Sequence, residues 1–305
     1  MKAGLRPACS TALVLLAGSC TAVPPPRPPQ PQPHAEAPPP PPLPMRPAEP
    51  VAQDFAFRGT VSQGGVLIGT APAGTLSITL DGQPVQVAAD GRFLIGLDRD
   101  HGPTALVEAR LADGGIRRQT LAVARRTWDV QSLPGLPRGT TPTPEFVRRR
   151  AAEQAMFAAA RALHPQTEGW RQRFVWPATG RISGLFGSQR IYAGEPGAYH
   201  GGTDIARLVG SPVAAPADGV VILASPPTFS IEGNLILIDH GMGLNSALMH
   251  LSRVDVKVGD HVVQGQTVGA VGMTGRATGP HLHWGLKWND ARVDPMLLAG
   301  PMPGG

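Results

Sequence analysis

The hydrophobic positions change character several times along the chain. From Pro24 to Pro50 there is no periodicity, only a Pro-dense run that includes PPPRPPQPQP. Such a tract favours polyproline II, cannot build a core, and predicts a semi-rigid spacer of ~3 Å per residue. From Phe55 to Val123 short alternating runs are separated by turn signals. Leu76 to Leu80 (LSITL) alternates, Asp81-Gly82 supplies a hairpin turn, and Val85 to Val87 returns. Asp90-Gly91 precedes Arg92 to Ile95, and Ala105 to Leu111 and Gln119 to Val123 flank Asp113-Gly114-Gly115. These runs predict a small β-sandwich over 51–126. Trp128 to Gly139, with Pro134 and Pro137, reads as a connector. A helix then opens at Thr143 (N-cap), Pro144 and Glu145 and runs to about Leu163. Phe146, Ala152, Met156, Ala159 and Leu163 fall near one face, and Arg148 to Arg150 read as a solvated basic face. The connector with its helix takes 127–172. From Arg173 to Leu298 the pattern is again strand and turn. Pro216 to Gly219 leads into Val220 to Leu223, and Leu235 to Ile238 is an apolar strand closed by Asp239-His240-Gly241. Val256 to Asp260 and Val262 to Gln266 read as a tight hairpin before Thr267 to Val271. The expected class is mainly β with one connecting helix, closed by a short tail over 299–305.

Composition sharpens the ends of this picture. With 34 Pro, 38 Gly and 5% aromatic residues in 305, part of the chain must be spacer or turn-rich β structure. The N-terminus reads as an export signal over 1–19. Lys2 and Arg6 precede the apolar run Ala12 to Ala17, which is too short to cross a bilayer. Removing Lys2 and Arg6 from the 27 basic residues leaves 25 against 22 acidic ones, which argues against nucleic acid as the main partner. Ala17-Gly18-Ser19 followed by Cys20 resembles the lipobox of bacterial lipoproteins, although Ala17 stands where Leu is usual. Ordinary signal cleavage after the same small residues stays open. The lipoprotein reading implies a lipid anchor on Cys20, with 20–50 as a linker holding the folded part off the outer membrane, in the periplasm. Cys9 and Cys20 are the only cysteines, so no disulfide or thiol chemistry belongs to the folded part.

The residues with chemistry lie near the C-terminal end. In His281-Leu282-His283, strand alternation points both imidazoles to one face and Leu282 to the other. His200-Gly-Gly-Thr-Asp204 adds an imidazole and a carboxylate, with glycines that let backbone close around an ion. Two histidines and an aspartate suit Zn²⁺ and leave a position for water. No HExxH is present, so the helical scheme with a glutamate base is excluded. His250 and His281 are then the candidates for moving protons. His240 reads as a structural hydrogen-bonding residue and His261 as solvated. Trp284 and Trp288 read as supports of the histidine strand, and Thr274 to Pro280 as the loop that places His281. Arg190 and Tyr199 either line a groove or pack.

These stretches together carry a resemblance. Ser183 to Arg190 (SGLFGSQR), His200 to Asp204 (HGGTD), Ala215 to Val221 (APADGVV), Ile238 to Gly241 (IDHG), Met249 to Ser252 (MHLS), Val258 to Leu286 and Val293 to Pro295 (VDP) resemble the LytM or lysostaphin-type zinc metallopeptidases of family M23. The likeness implies an antiparallel two-sheet β domain over 173–298 holding one Zn²⁺ on His200, Asp204 and His283. It implies a zinc-activated water that attacks a peptide carbonyl, with His250 and His281 beside it as catalytic residues. Which of the two is the base stays open. The expected substrate is the peptide cross-link of peptidoglycan, met through its stem peptides. Two other readings compete. LytM-like activators of cell-wall amidases have lost zinc ligands, whereas all five positions are filled here. Biotinyl, lipoyl and phosphotransfer domains share the pattern of VKVGDHVVQGQTVGAVG, but an export signal and the lack of a lysine at its turn oppose that reading.

Overall fold

Turn chemistry and alternation shape the first third of the chain. The computed structural model describes residues 54–135 and 141–303, so the expected signal peptide, the Cys20 lipobox and the Pro-rich linker lie outside the described residues. Strands β1 (Ala56–Gly59), β2 (Val66–Thr70), β3 (Thr75–Leu80), β4 (Gln83–Val85), β5 (Arg92–Gly96), β6 (Thr104–Leu111) and β7 (Ile116–Ala122) form two antiparallel sheets. Their orders are β1-β2-β5 and β4-β3-β6-β7. Asp81 and Gly82 both have positive φ (49° and 79°) and join Leu80 to its register partner Gln83, the tight turn that the Asp-Gly pair predicts. Ile78, Phe93, Ile95 and Val107 are at most 1% exposed and belong to one core cluster. Leu76 breaks the expected alternation. A register shift between Thr75 and Ser77 turns it outward, leaving it 69% exposed.

The expected connector contains a strand, β8 (Val130–Leu133), that alternation does not announce. Helix α1 (Pro144–Arg161) follows, with the Thr143 hydroxyl accepting from the Phe146 N–H at 3.1 Å. Its buried face differs from the one expected. Phe146 and Leu163 are exposed, whereas Glu153, Phe157 and Ala160 are buried. Phe157 and Ala160 pack on Ile222, Leu223, Phe229, Leu235 and Leu237. Nor do the arginines form a purely solvated face. Glu153 accepts from Arg149 (3.0 Å), Arg150 (3.1 Å) and the backbone and hydroxyl of Ser230 (2.7 and 2.6 Å). Arg150 also makes a bidentate pair with Glu232 at 2.7 and 2.6 Å. Four donors permit a carboxylate to sit in a helix interface, and apolar periodicity cannot register that.

Strands β9 (Arg181–Gly184), β10 (Gln189–Tyr192) and β11 (Glu195–Pro196) come next, with β10 running parallel to β8 and antiparallel to β11. The remaining strands are β12 (Gly202–Ala206), β13 (Pro212–Ala214), β14 (Gly219–Ala224), β15 (Asn234–Asp239), β16 (Leu244–Leu251), β17 (Arg253–Val254), β18 (His261–Val262), β19 (Thr267–Ala270), β20 (His281–Trp288) and β21 (Ala291–Val293). A short second helix, α2 (Pro295–Ala299), which the sequence reading did not anticipate, is capped by Asp294. The main sheet is antiparallel with order β18-β14-β15-β16-β20-β12-β9, and β21 pairs with β20; a smaller sheet is β13-β19-β17. Ile236, Ile238, Leu248, Leu282, Trp284 and Leu286 join the large core, whereas Leu235, Leu237 and Ala247 join the cluster under α1. Burial on both faces explains why Leu235 to Ile238 is apolar without alternation.

The hairpin expected over 256–266 does not form. Only His261–Val262 is strand, and it pairs with β14 rather than with its sequence neighbours. The Asp260 carboxylate accepts from the Lys257 N–H, and the Gln266 side chain accepts from the Val263 N–H, so each arm closes its own turn.

Candidate metal centre

The register of the main sheet brings the distant motifs together. Asp204 on β12 is paired with His283 on β20, and His283 with Met249 on β16. Leu282 points to the core at 0% exposure, so His281 and His283 share the other face, as alternation requires. His200 enters from the loop before β12. Its Nδ1 lies 3.0 Å from the Leu185 carbonyl, which accepts only if Nδ1 carries the proton; this leaves the Nε2 lone pair free. That Nε2 stands 3.1 Å from Asp204 Oδ1 and 3.0 Å from His283 Nδ1, and His283 Nδ1 stands 2.8 Å from Asp204 Oδ1. Three donor atoms from two distant segments therefore meet at one point.

Two glycines make room for them. A Cβ on Gly202 would lie 2.7 Å from His283 Nε2, and one on Gly184 would collide with the Asp204 carboxylate. Gly184, inside SGLFG, was not singled out from sequence, although its neighbourhood was.

The other two histidines flank the triad. His281 Nδ1 faces the Gly279 carbonyl at 2.8 Å, and its Nε2 lies 3.8 Å from Asp204 Oδ1. His250 Nδ1 faces the Thr274 carbonyl at 2.9 Å, and its ring centroid is 4.7 Å from that of His281 and 6.1 Å from that of His283. The loop from Thr274 to Pro280 thus orients both imidazoles, each protonated at Nδ1 with Nε2 left as an acceptor. Strand alternation would send Met249 and His250 to opposite faces, but both line the cleft; His250 has left-handed backbone at φ 63°.

The electrostatics point to a cation. Burial alone would raise the Asp204 carboxyl, yet its close contacts with the His200 and His283 imidazoles hold it well below the carboxylate range. Burial works against charge on His200 as well, but Asp204 and the Leu185 carbonyl raise its pKa. His283 is lowered, chiefly by burial. His250 is pushed down to about 4, first by burial, and is neutral at pH 7. Two imidazole lone pairs and a carboxylate at 2.8–3.1 Å repel one another unless positive charge sits among them. The donor set and its spacing, a little tighter than the ~3.3 Å edge of a tetrahedral Zn²⁺ shell, fit that ion. His200, Asp204 and His283 also form a group, among the described residues, able to offer three ligand atoms within 4.8 Å.

The triad opens into a cleft of about 2820 Å³ bordered by α1, β10, the main sheet and the 275–281 loop. Comparison with known proteins decides the family. A crystal structure from Pseudomonas aeruginosa, assigned to peptidase M23, matches with TM-score 0.60 and 30% identity over 79% of this chain and 96% of that one. The pattern described as peptidase family M23 matches residues 198–295. The chain belongs to peptidase family M23. Among curated relatives, the peptidoglycan DD-endopeptidase ShyA of Vibrio cholerae is 38% identical over 132 residues, which is 43% of this chain and 30% of that protein. The DD-carboxypeptidase/endopeptidase Mpg of Neisseria meningitidis is 37% identical over 123 residues, covering 40% of this chain and 28% of that protein. This M23 chain therefore spans less than a third of the length of those two relatives.

Around the M23 centre, the roles left open for Arg190 and Tyr199 take shape, and His240, Trp284, Trp288 and His261 fall as their patterns predict. Tyr199 lines the cleft, but its hydroxyl donates to Asp98, at 3.1 Å. The guanidiniums of Arg99 and Arg292 lie 4.9 Å and 5.4 Å from its ring centre. Desolvation and the Asp98 charge push this phenol up to about 12. Arg190 also lines the cleft and donates to Gln131 at 3.2 Å. His240 is wholly buried: Nδ1 donates to the Asp218 carbonyl and Nε2 accepts from Ser246, each at 2.8 Å. Trp284 donates to the same Ser246 hydroxyl at 3.3 Å. Both Trp284 and Trp288 are buried residues of the histidine strand itself, and His261 is exposed.

Proposed function

We propose that this protein is a zinc-dependent endopeptidase that hydrolyses peptide cross-links of bacterial peptidoglycan. The observation that carries the reading is the meeting of His200 Nε2, Asp204 Oδ1 and His283 Nδ1 at the floor of an open cleft, beside two further imidazoles with free Nε2 atoms. These three side chains would hold one zinc ion. When bound, the ion supplies Lewis acidity to the attacking water and to the peptide carbonyl. His250, neutral at working pH, accepts a proton at Nε2; His281 lies close enough to share that task and to return the proton to the leaving amine. The hydrogen bonds to Thr274 and Gly279 fix both rings in the tautomer that this requires. The names of the relatives, the DD-endopeptidase ShyA and the DD-carboxypeptidase/endopeptidase Mpg, support the D,D cross-link as the bond cut.

The export signal and Cys20 support a periplasmic protein tethered to the outer membrane through its proline-rich linker. Mass spectrometry of muropeptides tests the activity. Zinc-loaded wild-type protein is expected to convert cross-linked muropeptides of purified peptidoglycan to uncross-linked ones, and His283→Ala to convert none. Equal conversion by both would defeat the assignment; a change seen only when an amidase is added would mark an activator instead.

A further inference from the structure

The floor of the cleft is built in rows that cross the main sheet. Met249, His283 and Asp204 form one row, and Ala247, Gly285 and Gly202 the next. Beyond them come Asn245, its partner Lys287, and Arg292 on β21. The middle row carries nothing larger than a methyl group, so a peptide backbone can lie across it. Lys287 is four residues from His283, which places this third row ~13 Å along the strand from the triad.

The third row is cationic, and two of its charges lack an anionic partner. Lys287 is held by Asp290 at 3.1 Å. Arg161 reaches in from the last turn of α1. Its Nε donates to Asn245 at 3.0 Å and its guanidinium lies 5.4 Å from the Phe157 ring centre. The stem of Arg292 lies against Gly201, with its guanidinium over Tyr199. Neither guanidinium has a carboxylate within 4 Å among the described residues, although the Arg292 backbone N–H donates to Asp98 at 3.0 Å. Burial, then repulsion from Arg292, lowers the pKa of Arg161; the more distant Asp290 and Glu232 offset this only in part. Two guanidiniums held in one cleft with no carboxylate in direct contact keep planar forked donors ready for one.

We propose that Arg161 and Arg292, on either side of the Asn245–Lys287 pair, form a subsite for a carboxylate of the bound peptide. It lies within about four extended residues of the bond at the triad. This rests on the peptidase reading for the identity of the ligand. It makes Arg161, which precedes the family-matched stretch 198–295, a specificity residue.

The test is equilibrium binding of stem-peptide dimers to the full chain in an inactive His281→Ala background, by titration calorimetry. Each free carboxylate of the dimer is converted to an amide in turn. One amidation is expected to weaken binding about 10-fold or more, the scale of a bidentate charged contact. In Arg161→Gln and Arg292→Gln that difference should vanish while the amidated dimer binds as before. Unfolding midpoints measured on the same variants check that α1 stays docked. If no amidation matters to the unsubstituted protein, or if both variants still feel the same one, the subsite is wrong. Hydrolysis is read separately: a carboxylate preference in binding without bond cleavage by wild type removes the peptidase reading and leaves the subsite. Cleavage that is blind to every amidation does the reverse.

Discussion

Gly184 and Gly202 adopt backbone angles open to any residue, yet neither has room for a Cβ, because the Asp204 carboxylate lies against one and His283 Nε2 against the other. Gly184→Ala is therefore expected to leave the fold intact and to weaken zinc binding by about 10- to 100-fold, as loss of ligand orientation does elsewhere. Competition with a chelator of known affinity, on the metal-loaded protein, measures it. His240 yields a pH prediction. Burial lowers its pKa from 6.5 to about 4, so the unfolded chain takes up the proton first. The stability this group contributes is whole above the unfolded value and is lost as pH falls through that window, by about 3 kcal/mol in full. Urea midpoints followed from neutral to acid pH should fall less steeply in His240→Gln than in wild type.

At the scale of elements, the sequence is informative where one periodicity rules. The strands at 76–80, 92–95, 105–111 and 281–286, the Asp81-Gly82 turn and the Thr143-Pro144 helix start all follow from alternation and capping. What escaped was settled by partners remote in sequence. Glu153 is buried because Ser230, 77 residues away, supplies two of its hydrogen bonds. Strand β8 exists because β10 lies beside it, and His250 reaches the cleft through a left-handed residue that period-two reasoning does not contain. Of the five candidate site residues, His200, Asp204, His281 and His283 were legible from local spacing in HxxxD and HxH, and His250 from the wider pattern that resembled a family. Phe157 tests the corrected face of α1: Phe157→Ala should lower stability by about 3 kcal/mol, whereas Phe146→Ala on the exposed side should change it by less than about 1. Denaturant titration with α1 ellipticity and tryptophan emission as probes distinguishes them.

For the whole described molecule, residues of both small sheets and of the main sheet join one hydrophobic cluster, from Phe55 to Ala299. Gly96 on β5 sits where a Cβ would meet the Trp288 Cβ at 2.9 Å and Val293 at 3.1 Å, so the small sheets and the peptidase sheet touch without a spacer. Calorimetry is expected to show one cooperative transition, and Gly96→Val to shift it down as a whole by about 1–3 kcal/mol. Two separate transitions in the wild type would show that the sheets fold independently.

Arg161 sits at the end of a helix that precedes the stretch shared with the family, while His200, Asp204 and His283 lie inside it. One half of the proposed carboxylate subsite is thus carried outside the shared stretch, while Arg292 lies inside it. Exchange of the α1 segment would then alter the grip on a ligand and leave the three clustered donor side chains as they are.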